Sequence, residues 1–362
     1  MRPCILFTPG PLTTSETVKQ TMLQDWCTWD DDYNLEIVQN VRSELVRLAT
    51  DCPDNYTSVL LQGSGTYSVE GALTCAVPDS GKLLILSNGA YGNRMAEIAR
   101  YGKIRHDIIS FPETSPVCPD TIDRFLSGHN EVTHVSFVHC ETTTGILNPL
   151  DELCRVINRH GKTLIVDAIS SFGGIPFNAG LLNIDFLIGS SNKCIQGVPG
   201  FGYVIARRDA MKTCRGNARS LSLDIYAQWE TMEKSCGKWR FTSPTHVVRA
   251  FRQALKELHE EGGVAARHTR YEANHSVLTE GMTHLGYKPL LPAEHQSPII
   301  TSFLYPDPPF CFKSFYNELK QKGFIIYPGK ISQADTFRIG TIGDINVHDI
   351  KALINAIGSL RT

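Results

Sequence analysis

Two segments in the middle of the chain decide its fold: Lys162-Thr-Leu-Ile-Val-Asp167, and Asp185-Phe-Leu-Ile-Gly-Ser-Ser-Asn-Lys193. Residues 163–166 and 186–188 are unbroken apolar runs, which predict short strands buried on both faces of a parallel sheet. In sheets of this kind ligands bind beyond the carboxyl ends of the strands, where Asp167 and Lys193 stand. We therefore expect an acid and an amine to converge at one edge of a parallel sheet.

Three apolar runs upstream predict further strands of the same sheet, at residues 59–62, 82–86 and 132–139. The first of them leads through Gly63 into Ser64-Gly65-Thr66 and a predicted helix. A strand, a glycine turn and a helix start present free backbone N–H groups and a positive dipole end to an anion. The pattern lacks the Lys-Ser or Lys-Thr of a nucleotide-binding P-loop, so it predicts a phosphate cradle of another kind.

Composition excludes several classes of protein. The chain has 362 residues, of which 42% are hydrophobic and 20% charged, and 35 basic residues against 37 acidic ones leave a net charge of -2. Nucleic acid is therefore not an expected partner. The 11 cysteines form no Cys-x-x-Cys pair, which favours a reducing compartment. No apolar run is long enough for a signal peptide or a membrane span. We expect a cytoplasmic enzyme without a metal, and interpret His139 as a core histidine.

These motifs resemble the class V aminotransferases, a family of fold type I that depends on pyridoxal 5'-phosphate. The resemblance extends from Phe7-Thr-Pro-Gly-Pro11 to Phe337-Arg-Ile-Gly340. It implies an α/β fold, with a mostly parallel sheet in a large domain and a smaller α+β carboxyl-terminal domain. It also implies that Lys193 holds the cofactor aldehyde as a Schiff base. Asp167 would then be the anionic partner of the ring nitrogen, which the cofactor needs to act as an electron sink.

The resemblance assigns further residues one by one. Ser64, Gly65 and Thr66 would bind the cofactor phosphate, Tyr91 would stack on its ring, Thr142 would bond its ring face or hydroxyl, Arg338 would bind the substrate anion, and Thr242 would reach the phosphate of the opposite subunit of a homodimer. Without the family, simpler interpretations stay open. Tyr91 could anchor its own turn, Arg338 could form a structural ion pair, and Thr242 could simply end a strand beside Pro244.

The predicted organisation has an amino-terminal arm (1–14) associated with the small domain, a large domain (15–261) and a small domain (262–362). Glu260-Glu-Gly-Gly263 is the candidate boundary, although a helix over 264–285 could continue across it. The arm lies either across the mouth of the site, as in the family, or serves only as a linker. Residues 30–32 are three aspartates, interpreted as a solvated loop before a helix over 34–49. Extended segments are predicted at 220–224 and 238–244.

The resemblance also implies a reaction. It favours transfer of the amine of 2-aminoethylphosphonate to pyruvate, which gives phosphonoacetaldehyde and L-alanine with ping-pong kinetics. This preference depends on likeness in three segments, Trp29-Asp-Asp-Asp-Tyr33, Ser190-Ser-Asn-Lys193-Cys-Ile-Gln-Gly197 and Phe241-Thr-Ser-Pro-Thr-His246. Alanine:glyoxylate and serine:pyruvate transamination remain alternatives. An alternative of another class is a pyridoxal phosphate-binding sensor without turnover.

Overall fold

A computed structural model describes residues 4–307, 309–331 and 334–360. The strands in these ranges are β1 (Ile5–Leu6), β2 (Tyr56–Gln62), β3 (Leu83–Ser87), β4 (His106–Ser110), β5 (His134–Val138), β6 (Cys140–Glu141), β7 (Ile146–Leu147), β8 (Thr163–Asp167), β9 (Phe186–Ser190), β10 (Phe201–Arg207), β11 (Ile300–Leu304), β12 (Phe324–Ile325), β13 (Tyr327–Pro328) and β14 (Thr336–Gly340). The helices are α1 (Glu16–Gln20), α2 (Asp31–Tyr33), α3 (Asn40–Ala49), α4 (Gly65–Ala76), α5 (Ala90–Tyr101), α6 (Pro119–Gly128), α7 (Leu150–Arg159), α8 (Arg208–Thr213), α9 (Ile225–Lys234), α10 (Thr245–Glu260), α11 (Gly263–His284), α12 (Phe312–Gln321) and α13 (Val347–Gly358).

The central sheet has seven strands in the order β2-β10-β9-β8-β5-β3-β4. Its neighbours pair in parallel except β10, which is antiparallel to both β2 and β9. Asp167 is paired with Val138 of β5 on one side and with Ile188 of β9 on the other. The carboxyl ends of these three strands therefore meet at one edge, and the predicted mostly parallel α/β fold is confirmed.

Burial of the central strands explains their unbroken apolar runs. Every residue of β3, β5 and β9 is buried, because helices cover both faces of the sheet. Each large aliphatic side chain buried there contributes roughly 1.5–3 kcal/mol relative to its exposed state. The residues of this core come from positions 18–258 of the chain. The tightly packed core therefore fixes the position of the sheet edge at which the polar strand ends lie.

A second core surrounds the antiparallel sheet β11-β14-β13. It is built from Phe7 and from residues of 278–357. The amino-terminal strand β1 pairs in parallel with β12, which ties the arm to this second layer. The predicted boundaries at 14 and 261 stay predictions, and their outermost residues, 1–3 and 361–362, lie outside the described residues.

The local structure differs from the prediction at some positions and decides an open alternative at another. Asp31 and Asp32 are exposed but begin the short helix α2, and a π-helical segment at Asn34–Gln39 precedes α3. Segments 220–224 and 238–244 contain no strand. Helix α10 does not continue into α11, because Gly262 and Gly263 adopt φ of 108° and 79°, which glycine tolerates best. Strand β4 was not predicted, since its half-exposed edge position leaves no continuous apolar run.

Candidate active site

A pocket opens at the edge where β5, β8 and β9 end, and it collects most of the predicted site residues. Its lining includes Ser64, Gly65, Thr66, Tyr91, Arg94, Val138, Cys140, Asp167, Ile169, Ser170, Ser190, Asn192 and Lys193. The acid and the amine that the sequence places on different strands thus share one pocket. Sequence reasoning did not select Arg94, Ser190 or Asn192. Of these, only Arg94 carries a charge, and it lies one helical turn beyond Tyr91 on α5.

Asp167 ends β8 with its carboxylate almost fully enclosed, since the residue is 5% exposed. Its Oδ1 accepts a hydrogen bond of 2.9 Å from the backbone N–H of Ile169. Burial raises the pKa of Asp167 to about 6, although that hydrogen bond and the positive charges of Lys193 and Arg94 oppose the rise. A buried carboxylate of this kind is suited to face a cation inside the pocket.

Lys193 reaches the same pocket from the loop after β9. Its Nζ donates a hydrogen bond of 2.8 Å to the carbonyl oxygen of Pro9, so the amino-terminal arm contacts the amine directly. Gly10 adopts φ of 121°, and a Cβ at this position would lie 2.7 Å from Lys193 Cδ. Burial lowers the pKa of Lys193 to about 8, against the attraction of Asp167. A usable fraction of neutral amine therefore exists at mildly alkaline pH.

The loop that carries Lys193 is fixed by α11. The carbonyl oxygen of Cys194 accepts hydrogen bonds of 2.9 Å from Arg267 Nη1 and 3.2 Å from the Tyr271 hydroxyl. Arg267 is 2% exposed, and its charge is paired with Glu261 at 2.7 Å. No sequence pattern predicts this support, because Cys194, Glu261 and Arg267 lie far apart along the chain. The loop of the amine is thus positioned by Arg267, a buried cation whose partner Glu261 is partly exposed.

The predicted phosphate cradle is the start of α4. Ser64 is the N-cap residue, and its side chain makes no capping hydrogen bond. The first N–H groups of a 12-residue helix therefore point toward the pocket side with a positive dipole end. A Cβ on Gly65 would lie 2.6 Å from Ile169 Cδ1, so any side chain here would require Ile169 to shift. Arg94 Nη1 donates to the Thr66 hydroxyl at 3.2 Å, which adds a cation to the cradle.

The backbone of Tyr91 is held by a hydrogen bond to the side chain of Glu141. The backbone N–H of Tyr91 donates to Glu141 Oε2 at 3.0 Å, and the Thr143 hydroxyl donates to Oε1 at 2.9 Å. Glu141 is fully buried, and burial raises its pKa to about 7. Gly89 leaves room for this carboxylate, because a Cβ there would lie 2.4 Å from Glu141 Cγ. Glu141 is a positioning residue that the sequence interpretation missed.

Replacement of Glu141 by glutamine should reduce the pH dependence of stability of the cofactor-free protein. Between the usual value of 4.5 and the raised pKa of about 7, only the folded state keeps the proton, so the free energy of unfolding falls as pH rises. Glu141→Gln removes this loss, which amounts to about 2 kcal/mol between pH 5 and pH 8. Urea unfolding at both values measures it. The exposed Glu36→Gln variant is the control, and an equal pH dependence in all three proteins would contradict the assignment.

Thr142 and Arg338 lie beside the pocket rather than in its lining. Thr142 is fully buried, and its hydroxyl has no hydrogen-bond partner in the described part of the chain. Arg338 projects from β14 and is 6% exposed. It donates hydrogen bonds of 2.9 Å from Nη1 to the carbonyl oxygen of Thr142 and from Nε to that of Pro328. Among the described residues no carboxylate lies within 4.0 Å of it, so the structural ion pair considered for Arg338 does not form.

Thr242 is not brought into the pocket. It is exposed, and it lines a separate groove together with Gly63, Tyr67 and Phe241. His139 also lies outside the pocket lining, in edge-to-face contact with Phe177. Burial lowers the pKa of His139 to about 4, and its Nδ1 has no partner in the described residues. His139 is thus a core residue, but one whose hydrogen bonding is incomplete.

Over 4–307, 309–331 and 334–360, no group of three or more His, Cys, Asp or Glu side chains is arranged to hold a metal ion. Over the same ranges, no helix combines the length and apolar character needed to cross a membrane.

Comparison with known proteins identifies the class of this protein. A family model described as "Aminotransferase class-V" matches residues 33–323. The chain belongs to the class V aminotransferases, enzymes that use pyridoxal 5'-phosphate. It is 65% identical over 357 residues to a protein of Bacteroides fragilis named 2-aminoethylphosphonate--pyruvate transaminase, covering 99% of each chain. A Bacillus cereus protein of the same name is 56% identical over 353 residues, covering 98% of this chain and 96% of the other.

Solved structures show the same fold at low identity. Ureidoglycine-glyoxylate aminotransferase from Bacillus subtilis superposes with a TM-score of 0.91 at 22% identity, covering 100% of this chain and 94% of the other. Alanine--glyoxylate aminotransferase from Nostoc sp. gives a TM-score of 0.91 at 22% identity, with coverage of 100% and 96%. Both likenesses concern the fold.

The residues in the pocket and directly beside it fit the family's cofactor. The uncapped start of α4 suits a phosphate, the buried Asp167 suits a protonated ring nitrogen, and the amine of Lys193 suits an aldehyde. The unpartnered hydroxyl of Thr142 is a buried polar group of the kind that a ligand satisfies. The donor set thus covers each polar part of pyridoxal 5'-phosphate.

Proposed function

We propose that this chain transfers the amino group of 2-aminoethylphosphonate to pyruvate and releases phosphonoacetaldehyde and L-alanine. The observation that carries the proposal is the buried Arg338, which has no carboxylate within 4.0 Å among the described residues and contacts Thr142 next to the pocket. A guanidinium in that position needs an anion from a ligand. Relatives that share 56–65% of their residues with this chain are named for this reaction.

The side chains divide the work as follows. Pyridoxal 5'-phosphate supplies an aldehyde for the substrate amine and a ring that withdraws electrons. Asp167 would hold the proton on the ring nitrogen of the bound cofactor. Lys193 Nζ would hold the aldehyde, and the same amine would move a proton from and to the carbon that bears the substrate amine. Arg338 binds the phosphonate of the amine donor and then the carboxylate of pyruvate, since its planar fork suits both anions.

The half-reaction tests this proposal. The purified holoenzyme mixed with 2-aminoethylphosphonate alone should release one phosphonoacetaldehyde per cofactor and change the absorbance of the bound cofactor. Pyruvate added afterwards should restore the original spectrum and give an equal amount of alanine. If the spectrum responds to alanine or serine but not to 2-aminoethylphosphonate, the proposed donor is wrong. Alanine and serine as donors are not favoured, since relatives that are 56–65% identical to this chain are named for 2-aminoethylphosphonate.

We also propose a homodimer in which Thr242 of one copy reaches the phosphate cradle of the other. The exposed Tyr67 and Phe241, at 51% and 52%, line the groove of Thr242 next to Gly63, on the turn that leads into the cradle. Apolar side chains of this size favour a protein contact. Sedimentation should give twice the 40.2 kDa of one chain, and Phe241→Asp should lower that mass. A monomeric wild type with full activity would refute the dimer.

We assign the enzyme to the cytoplasm. The 11 cysteines are all free thiols, which supports a reducing compartment.

A further inference from the structure

Two positive side chains share the ring of Tyr91. Arg94 Cζ lies 5.0 Å and Lys330 Nζ 5.4 Å from the ring centroid, and both distances are within cation–π range. No carboxylate of the described residues lies within 4.0 Å of either cation. Arg94 already donates to the Thr66 hydroxyl at the phosphate cradle, so its position faces the cofactor side. No comparable role at the cofactor site has been given to Lys330.

The hairpin between β13 and β14 fixes where Lys330 stands. Gly329 N–H donates to the carbonyl oxygen of Thr336 at 2.8 Å. A Cβ at Gly329 would lie 2.3 Å from that same oxygen, so only glycine allows this approach. The same hairpin pairs Tyr327 with Arg338 in register. Lys330 directly follows Gly329 after β13, and Arg338 lies on β14, so neighbouring parts of the small sheet carry both cations.

Lys330 is exposed, and more positive than negative charge surrounds it. Partial burial lowers the pKa of Lys330, and the charges of Arg94 and Arg338 lower it further. Arg338 uses Nε and Nη1 for carbonyl oxygens, which leaves other guanidinium N–H groups for a ligand. Within the described part of the chain, Glu141 is the acid whose charge partly offsets that of Lys330, and its carboxylate accepts hydrogen bonds from Tyr91 and Thr143. A ligand with more than one negative charge would satisfy both cations.

We propose that Lys330 is a specificity-determining residue that pairs with the second negative charge of the substrate phosphonate, while Arg338 holds the first. This inference rests on the proposed function. A phosphonate carries two charges on three oxygens, whereas the carboxylate of pyruvate carries one on two. Arg338 alone suffices for pyruvate. Lys330 therefore adds affinity only in the half-reaction that uses 2-aminoethylphosphonate.

The test compares the two half-reactions in Lys330→Met. The value of kcat/KM for 2-aminoethylphosphonate should fall about ten- to one hundred-fold, the range for one charge-assisted hydrogen bond. The value for pyruvate acting on the aminated enzyme should stay nearly unchanged. Inhibition by 2-aminoethylsulfonate, a tetrahedral analogue with a single charge, should also stay nearly unchanged. Lys330→Arg should keep most of the phosphonate activity, and Lys322→Met, an exposed lysine at the end of α12, is the matched control.

The outcomes separate this inference from the proposed function. If the wild-type enzyme does not convert 2-aminoethylphosphonate, the proposed function fails. If the wild type converts it and Lys330→Met does so equally well, only the role of Lys330 is refuted. An equal fall in both half-reactions, or a parallel loss of inhibition by the sulfonate, would also refute it, because the lysine would then not distinguish two charges from one.

Discussion

Lys193→Ala should lower kcat by about 10⁴-fold or more, because the variant loses both the amine that anchors the cofactor and the base that moves the substrate proton. The cradle at α4 and the carboxylate of Asp167 remain, so the variant should still bind pyridoxal 5'-phosphate noncovalently. Alanine formation from saturating 2-aminoethylphosphonate and pyruvate measures the loss. Retention of cofactor separates lost chemistry from lost binding.

Lys313→Ala is the control for this change, since Lys313 is exposed on α12 and does not line the pocket. It should leave kcat unchanged. A Lys193→Ala enzyme that keeps a tenth or more of the wild-type rate would refute the assignment of the amine. Turnover by the wild type together with its loss in Lys193→Ala also excludes the alternative of a cofactor-binding sensor without activity.

Asp167→Asn should lower kcat by about 10²- to 10³-fold, the range seen when one electrostatic group is removed from an enclosed site. The amide keeps the size of the carboxylate and can still accept from Ile169 N–H, but it cannot hold a proton on the ring nitrogen. Burial raises the pKa of Asp167 to about 6, so the wild-type carboxylate is ionised at the pH of the assay, near 8. The loss should therefore appear in kcat more than in KM for pyruvate.

Asp185→Asn gives a matched comparison for Asp167→Asn. Asp185 is equally buried, at 5% exposed, but it precedes β9 at the opposite edge, where it accepts from Leu164 N–H and pairs with Arg207. Its replacement should reduce stability and leave the kcat of the folded enzyme unchanged. Equal kcat values in the two variants would show that the charge of Asp167 has no special role.

The sequence predicted the sheet wherever the strands are buried on both faces. Runs such as 163–166 and 186–188 are apolar because helices cover them, and their polar ends mark the site. Strand β4 was not predicted, because an edge strand keeps half of its side chains in contact with solvent and therefore has no continuous apolar run. The sequence did not decide between a turn at Gly262 and a continuous helix. Two adjacent glycines are compatible with either conformation, and tertiary packing determines which one forms.

Pocket residues that directly follow a strand could be predicted from the sequence. Residues that only position another residue could not. Lys193 and Asp167 could be selected from the sequence because each comes shortly after a buried apolar strand. Glu141 and Arg267 position Tyr91 and the Lys193 loop from remote segments, so only the folded contacts reveal them. A role for Lys330 is indicated only by the folded structure, in which its Nζ lies over the ring of Tyr91. The role predicted for Thr242 stays a prediction, since it depends on a second copy of the chain.

The most direct measurement is to reduce the holoenzyme with borohydride, which fixes the cofactor to its lysine, and to map the labelled peptide by mass spectrometry. One cofactor per chain should be found on Lys193, and Lys193→Ala treated in the same way should carry none. Label on another lysine, or a wild-type chain that binds no cofactor, would contradict the central claim that this amine and the carboxylate of Asp167 hold one cofactor between them.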